Sequence, residues 1–378
     1  MSVADTRPPA RKDPLNRKQP LPSTALSEQR TAPTAPAVPL ADKVAFLSTP
    51  DAYPHPATDL ERKETHMSWV FLAGGRVYKL KKPVRFPYLD YSTLERREAA
   101  CRAELTLNRP LAPHVYERVA PLTLTPQGLQ LDGEGEPVDW LVVMHRLDER
   151  RTLGNAILTD EVRAAQLDHV VDTLVTFYHR ARSVFVSPAT HLRNWHDSLA
   201  YNKRVLLDPR LGLPAGPVRH IDLAQRRFLR MRATLIADRV RGRHIVDGHG
   251  DLRPEHIWLI DPITIIDCLE FNAGLRAVDP FDEIAYLCVE CERLGGAWAS
   301  AHICRRAIHV LHDHLSEQLF TFYRCHRATL RARLTIAHML EAHPRTPEKW
   351  PRRAREYLAI AAADARRLER MLRRPSGL

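Results

Sequence analysis

The sequence predicts an α+β protein of two lobes, a strand-rich first lobe joined by a short hinge to a mainly helical second lobe. Three observations carry this. Residues 64–147 hold short apolar and alternating runs punctuated by Gly, Pro and Asp, the pattern of strands and turns. Beyond residue 150 the apolar positions step by three and four over long stretches, the pattern of helices. Between the helical patterns lies one dense stretch, residues 244–290, with three aspartates spaced around two short apolar runs.

Size and composition bound the function. With 378 residues and 44% hydrophobic side chains, the chain can bury a large core, which excludes wholesale disorder. No run approaches the ~20 apolar residues of a membrane span, and the N-terminus lacks the apolar segment of a secretory signal. A cytoplasmic protein without a membrane partner is expected. The net charge of +11 rests largely on arginines of the N-terminal stretch and the last helical pattern. That last face has no stacking aromatics and no recognition motif, so no nucleic-acid partner is expected. Cys288 and Cys291 form a C-x-x-C pair inside an apolar helical run. A zinc site would need Cys304, His302 or Cys325 as well, and the pair reads instead as buried thiols in a reducing compartment.

The elements follow in order. Residues 1–40, rich in Pro, Ala, Ser, Thr and basic residues, predict a disordered tail; the first lobe is placed at 41–147 and the second at 148–378. Residues 43–47 predict a short helix. A polar turn at 64–68 runs into a strand, Ala73-Gly74-Gly75-Arg76 is a hairpin turn, and 77–81 is the return strand. Its period of two puts Lys79 and Lys81 on one face. Ser92-Thr93-Leu94-Glu95 reads as a capping box with Ser92 as N-cap, opening a helix to about Asn108 that Pro110 and Pro113 stop. Glu98 and Glu104 are its two candidates to meet a strand lysine; periodicity puts Glu98 within the stripe of Leu94, Cys101 and Leu105, and Glu104 at its margin. Strands are read at 115–125 and 129–131, then a Gly-containing turn at 132–135. The strand at 140–147 ends the first lobe. Helical patterns cover 162–182, 282–294, 298–318, 320–338 and 354–372, the last with Leu358, Ala361, Ala365, Leu368 and Leu372 on one face.

The central stretch carries the chemistry. Apolar runs at 257–260 and 263–266 flank Asp261-Pro262, a tight hairpin. Asp251, two residues after His249, precedes the first run, and Asp267 ends the second. Asp261-Pro262 already supplies the turn chemistry, so Asp251 and Asp267 stand outside it at neighbouring strand ends. One such carboxylate can orient an attacking hydroxyl while the other holds a divalent metal on a polyphosphate, the division of labour of phosphoryl transfer.

The segments HGDLRPEH, IIDCLEF and DPFDEIAYL resemble the aminoglycoside phosphotransferase group of the protein-kinase-like superfamily, whose kin include choline, homoserine and fructosamine kinases. The upstream ETHMSWVFLAGGRVYKLKKPV and STLERREAACRAELTLNRPLAPHVY resemble one bacterial branch of that group, fused in some members to a P-loop kinase domain. No G-x-x-x-x-G-K-[ST] occurs, so the resemblance, over about residues 43–300, implies the stand-alone form. It implies a kinase-like bilobal fold, ATP as donor, Mg²⁺ or Mn²⁺ as metal, and a small-molecule acceptor. Asp251 resembles the aspartate that orients the acceptor hydroxyl, and His249 the histidine supporting that loop. Asp267 resembles the metal-binding aspartate, and Lys79, with Lys81 as alternative, the lysine on the α/β-phosphates. Glu104 fits the lysine's partner by motif, Glu98 by periodicity. The turn at 65–68 stands where the nucleotide-covering loop should be, with Ser68 on phosphate; residues 143–146, Met144 among them, resemble the adenine-reading hinge. Asp279 and Asp282 resemble the acidic pair that braces the catalytic loop or caps the next helix.

One position departs from the family pattern. His256 stands where an Asn usually serves as second metal ligand. Either Asp267 holds the metal with waters, or His256 ligates a softer ion such as Mn²⁺, or transfer is weakened or lost. A phosphotransferase is the first expectation; a nucleotide-binding pseudokinase and an AMP-transferring protein are the alternatives. The acceptor pocket is expected from residues 150–230 and 290–350, and fold analogy does not name the acceptor.

Overall fold

Alternating strands in the first lobe build one antiparallel sheet, and the helical patterns that follow assemble a second lobe around a buried central helix. The computed structural model describes residues 38–57, 59–86, 88–313, 315–341 and 346–373. The Pro-rich stretch over residues 1–37 lies outside the described residues.

Helix α1 spans Leu40–Leu47 and buries Val44 and Leu47. Strand β1, Leu60–Glu64, is an unexpected element: LERKE carries no apolar alternation, and it becomes a strand by pairing with β2, Ser68–Ala73, at the sheet edge. The hairpin from β2 to β3, Arg76–Lys81, turns at Gly74 with φ +56°, as expected for a two-residue loop. A small ladder of β4, Arg85–Phe86, and β5, Leu89–Asp90, leads to α2, Leu94–Asn108. The N-cap is Thr93, not Ser92: the Thr93 hydroxyl accepts from the Arg96 amide at 3.3 Å, while the Ser92 hydroxyl donates to Asp90 at 2.6 Å. Asp90 competes for the serine, and the cap moves one residue on.

Strands β6 (Tyr116–Thr125), β7 (Gly128–Leu131) and β8 (Glu136–His145) complete the sheet in the order β1-β2-β3-β8-β6-β7. β8 starts four residues before the apolar run that marks it in the sequence, and sits between β3 and β6. Its period of two feeds two cores. Leu141 and Val143 join Phe71, Tyr78 and Leu122 on the α1 side, while Val142 and Met144 join Cys101, Val115 and Tyr116 on the α2 side. Buried Asp139 pins both helices to β8, accepting from Lys43 Nζ and Arg97 Nε at 2.7 Å each.

The second lobe contains α3 (Leu153–Leu158), α4 (Ala164–Arg180), α5 (Pro188–Leu206) and α6 (Ala215–Arg241), the last kinked at Arg232. No helical pattern assigned from the sequence covers α5 or α6, whose apolar positions are interrupted by polar and basic residues. Next come the short ladders β9 (Val246–Asp247) with β12 (Ala277–Val278), and β10 (Ile257–Trp258) with β11 (Thr264–Ile265), with α7 at Ala273–Arg276. Helix α8, Pro280–Arg293, is buried from Pro280 through Cys291, with Phe281, Ile284 and Leu287 in the main core. The helix expected over 298–318 ends early, as α9 at Val310, and the one expected from 320 starts three residues sooner, as α10 at Glu317. Between them Asp313 pairs with Arg239 and with His244, which holds the segment out of helical path. After α10, Glu317–Ala337, comes α11, Lys349–Arg373, burying Leu358, Ala361, Ala365, Leu368 and Leu372 as its periodicity predicts.

Cys288 and Cys291 are buried in α8 as free thiols, and among the described residues no metal-ligand cluster forms around them. No described helix is long and apolar enough to cross a membrane.

Asp139→Ala should leave the Lys43 and Arg97 cations buried without their acceptor. A loss of about 3–5 kcal/mol in unfolding free energy is expected from denaturant titration, with Asp139→Asn intermediate.

Candidate active site

The site is built where the β9–β10 loop, the segment after β11, strand β3 and helix α2 meet. Its first part is the loop His249-Gly250-Asp251. Gly250 has φ +85°, and a Cβ there would lie 3.0 Å from Leu269 Cδ1, so both conformation and space favour glycine. The loop amides are held by Glu283 of α8, which accepts from His249 N at 3.1 Å and from Gly250 N, and from the Tyr178 hydroxyl at 2.9 Å. His249 is fully buried. Its Nε2 donates to the Ile266 carbonyl at 2.9 Å and its Nδ1 accepts from the Asp251 amide at 3.2 Å, which assigns the Nε2–H tautomer. The ring is thus a post between the Asp251 loop and the Asp267 segment, and Leu269 N adds a 3.0 Å bond to the His249 carbonyl.

Asp267 lies in left-handed backbone, φ +68°, a conformation uncommon outside glycine and concentrated at functional positions. Neighbours hold it there. Its amide donates to the Tyr116 hydroxyl at 3.3 Å, and the next amide, Cys268 N, donates to Asn108 Oδ1 at 2.9 Å. Asn108 in turn donates to the Glu104 carbonyl, so the end of α2 and the Asp267 segment are set by one side chain.

Strand period and helix register then assemble the charges. Lys79 and Lys81 share a face of β3, and both reach Glu104 of α2, at 2.9 and 2.7 Å. Lys79 also contacts Asp267 Oδ1 at 3.0 Å; Lys81 also contacts Glu270 at 2.5 Å, where the Tyr91 hydroxyl donates as well. The lysines differ in access. The Lys79 side chain is 16% exposed and lines the cleft, whereas Lys81 is sealed at 0%. Glu98, the candidate favoured by periodicity, points outward and pairs with Arg102. The inward stripe of α2 includes Arg97, Glu104 and Asn108, charged or polar groups that an apolar count leaves out. Burial opposes ionisation of Asp267, but the Lys79 ammonium outweighs it and holds the carboxyl far below the usual range. Burial likewise disfavours the Lys79 charge, and Asp267 and Glu104 reverse that, raising its pKa well above normal.

Asp251 takes a hydrogen bond from the Tyr286 hydroxyl at 2.8 Å and faces Arg253 Nε at 3.1 Å. Burial pushes its pKa up, and Arg253 and His256 pull it below normal, so it stands as a carboxylate. His256 lies between the two aspartates. Its Nδ1 donates to the Asp251 carbonyl at 2.9 Å, and its Nε2 accepts from Arg253 Nη2 at 2.8 Å. That Nε2 is 3.6 Å from Asp267 Oδ2. Burial and Arg253 lower the pKa of the ring, which leaves it neutral with its lone pair on the Asp267 side.

A cleft of about 460 Å³ joins these groups, with Val77 and Met144 as an apolar wall and Ser68 at one side. The Ser68 amide already donates to Thr65 Oγ1 at 2.9 Å, closing the covering turn on itself. In the hinge, His145 N and Arg146 N donate to the carbonyls of Val115 and Gly75, both at 2.8 Å. A purine read by either amide would have to displace a carbonyl.

Of the two roles expected for the acidic pair, Asp279 takes the cap and neither residue braces the His249–Asp251 loop. Asp279 caps α8, accepting from Phe281 N at 3.0 Å, and pairs with Arg239; Asp282 pairs with Arg327 of α10. The brace of the His249–Asp251 loop is the adjacent Glu283. Sequence reasoning also passed over Arg253, Tyr286 and Glu270. The nearest signal was position: Arg253 sits inside HGDLRPEH, Glu270 inside IIDCLEF, and Glu283 and Tyr286 inside DPFDEIAYL.

Glu283→Ala should strand the His249 and Gly250 amides and the Tyr178 hydroxyl in the core. Each unpaired group costs about 1–3 kcal/mol. Hydrogen exchange at residues 249–251 is expected to accelerate together with a loss of global stability, and unchanged protection there would refute the brace.

No protein-family model matches the chain. Uncharacterized proteins of Mycobacterium bovis and Mycobacterium tuberculosis are 33% identical to it over 303 residues, covering 77% of this chain and 58% of theirs. The chain therefore spans less than two thirds of the length of these curated relatives. Among solved structures, the GDP complex of an aminoglycoside 2'-phosphotransferase mutant matches with TM-score 0.53 at 15% identity, covering 85% of this chain and 98% of that one. A thermostable mutant of an aminoglycoside phosphotransferase in apo form matches with TM-score 0.51 at 12% identity, covering 82% and 95%. Identity at this level speaks to the fold. The chain has the bilobal α+β fold of these two aminoglycoside phosphotransferase structures.

Proposed function

We propose that the chain is an ATP-dependent phosphotransferase that passes the γ-phosphate to a hydroxyl of a small molecule. The observation that carries this reading is the convergence of Lys79, Asp251 and Asp267 on one cleft, with Lys79 paired to Glu104 and Asp251 fixed by Tyr286. Lys79 stays anchored on Glu104 and turns its ammonium from Asp267 to the α/β-phosphates. Asp251, ionised and fixed by Tyr286, orients the acceptor hydroxyl and takes its proton as that oxygen bonds to the γ-phosphorus and the bond from phosphorus to the departing ADP breaks. Arg253, beside Asp251, offsets charge that develops on the transferred group.

The donors fit a divalent metal. Asp267 has a side chain 41% exposed, and His256 adds a neutral ring nitrogen 3.6 Å from its carboxylate. A carboxylate suits Mg²⁺, while the mixed oxygen and nitrogen pair suits Mn²⁺ better. Bound there, the metal would neutralise and orient the β- and γ-phosphate oxygens.

A second reading has its own support. In the cleft Lys79 neutralises Asp267 and Arg253 engages His256, so these charges have partners within the protein. That arrangement also suits a protein that binds nucleotide without transferring phosphate, or one that transfers AMP.

Calorimetry with ATP and GTP, in Mg²⁺, Mn²⁺ or EDTA, separates these. Metal-dependent binding is expected, weakened about 10- to 100-fold in Asp267→Ala. Asp251→Asn should keep nucleotide affinity and lower turnover by about 10²–10⁴. Binding that ignores metal and Asp267 supports the non-catalytic reading. Intact mass after incubation with ATP and candidate acceptors tells phosphate from adenylate.

A further inference from the structure

A second group of ligating side chains lies at the rim of the cleft and draws on both lobes. His66 stands in the turn between β1 and β2, lines the cleft, and has a side chain 51% exposed. His338 and Glu341 lie beyond the end of α10, in and just after the short turn His338–Leu340. His66 Nε2 is 3.0 Å from His338 Nδ1 and 3.0 Å from Glu341 Oε1, and His338 Nδ1 is 2.6 Å from the same oxygen. The two imidazoles stack with centroids 5.0 Å apart, and Trp350 stacks on His338 at 4.3 Å, which fixes the ring.

Hydrogens cannot satisfy this triangle while Glu341 is a carboxylate. If both ring nitrogens carry hydrogens and donate to Glu341, two N–H groups face each other at 3.0 Å. If only His338 carries one, the His66 lone pair lies against the carboxylate oxygen; if only His66 does, the His338 lone pair does so. A cation among the three atoms turns every lone pair into a ligand. Two imidazoles and one carboxylate are a donor set of open zinc sites, which keep a water in the fourth position. Partial exposure leaves room for the ion to enter and for that water. The nitrogen-rich set disfavours Mg²⁺ and Ca²⁺.

We propose that His66, His338 and Glu341 bind Zn²⁺, and that the ion clamps the cleft-covering turn of the first lobe to the α10–α11 segment of the second. The site shares no residue with Asp251, Asp267 or Lys79, so it stands or falls independently of the phosphotransferase reading.

The test uses the full chain, stripped with chelator and titrated with ZnCl₂ by calorimetry, and with CoCl₂ by absorbance. One zinc equivalent is expected, with a cobalt spectrum of nitrogen and oxygen ligands and no thiolate charge-transfer band. His338→Ala and, separately, His66→Ala should each lose at least tenfold in affinity, while Asp267→Ala and Cys288→Ser keep it. His66 is in an exposed turn, so its variant answers the objection that His338→Ala merely misfolds. Zinc should also slow hydrogen exchange at residues 65–68 in the wild type and not in His338→Ala. No zinc equivalent in the wild type, or one that survives both histidine variants, overturns the site. Zinc bound without slower exchange in the turn overturns the clamp.

Discussion

The junction between the lobes depends on one buried charge network. Lys79 and Lys81 from β3, Glu104 from α2, and Asp267 and Glu270 from the segment after β11 satisfy each other across three elements. Charges removed from water are tolerated only when paired with good geometry, so none of the three elements can shift without exposing another to an unpaired ion. The network therefore acts as a register. It sets the height of α2 against the sheet, and through Asn108 it also sets the backbone of Cys268 beside Asp267. The two lysines divide the work by access: sealed Lys81 holds both Glu104 and Glu270, and Lys79 faces the cleft.

Helix α8 does the equivalent for the His249–Asp251 loop. It supplies Glu283 to the loop amides and Tyr286 to the Asp251 carboxylate from within one helical turn. The helix is buried on almost every side, so these groups are placed by a rigid element rather than by the loop. His249 and Leu269 then couple this loop to the Asp267 segment, and His256 stands between the two carboxylates. The left-handed backbone of Asp267 is the strained point of the assembly, held by its own amide's bond to the Tyr116 hydroxyl and by the Cys268 amide's bond to Asn108.

Both supports converge on a cleft whose ionic groups pair with one another. Lys79 lies on Asp267 and Arg253 on His256, so a nucleotide and its metal would exchange existing ion pairs for new ones instead of entering a site of bare charge. At the rim, the His66, His338 and Glu341 triangle links the same two lobes by another chemistry. Closure and charge exchange would then be governed by separate groups.

Much of this was legible locally. Period-two alternation put Lys79 and Lys81 on one face, the Gly74-Gly75 turn marked the hairpin, and Asp251 and Asp267 stood outside the Asp261-Pro262 turn. These depend on neighbours within a few residues, which is the range that sequence pattern encodes. The decisions between Glu98 and Glu104, between Ser92 and Thr93 as cap, and between Asp282 and Glu283 as brace belonged to tertiary structure. Each rested on a partner distant in sequence or on a competing side chain: Lys81 for Glu104, Asp90 for Ser92, the His249 and Gly250 amides for Glu283. Edge strand β1 and the break before α10 had the same origin, since LERKE is a strand only beside β2 and Asp313 leaves the helix only because Arg239 and His244 draw it. A periodic pattern reports which face is apolar; only the folded chain decides which charges that face can bury, because the compensating ion arrives from elsewhere.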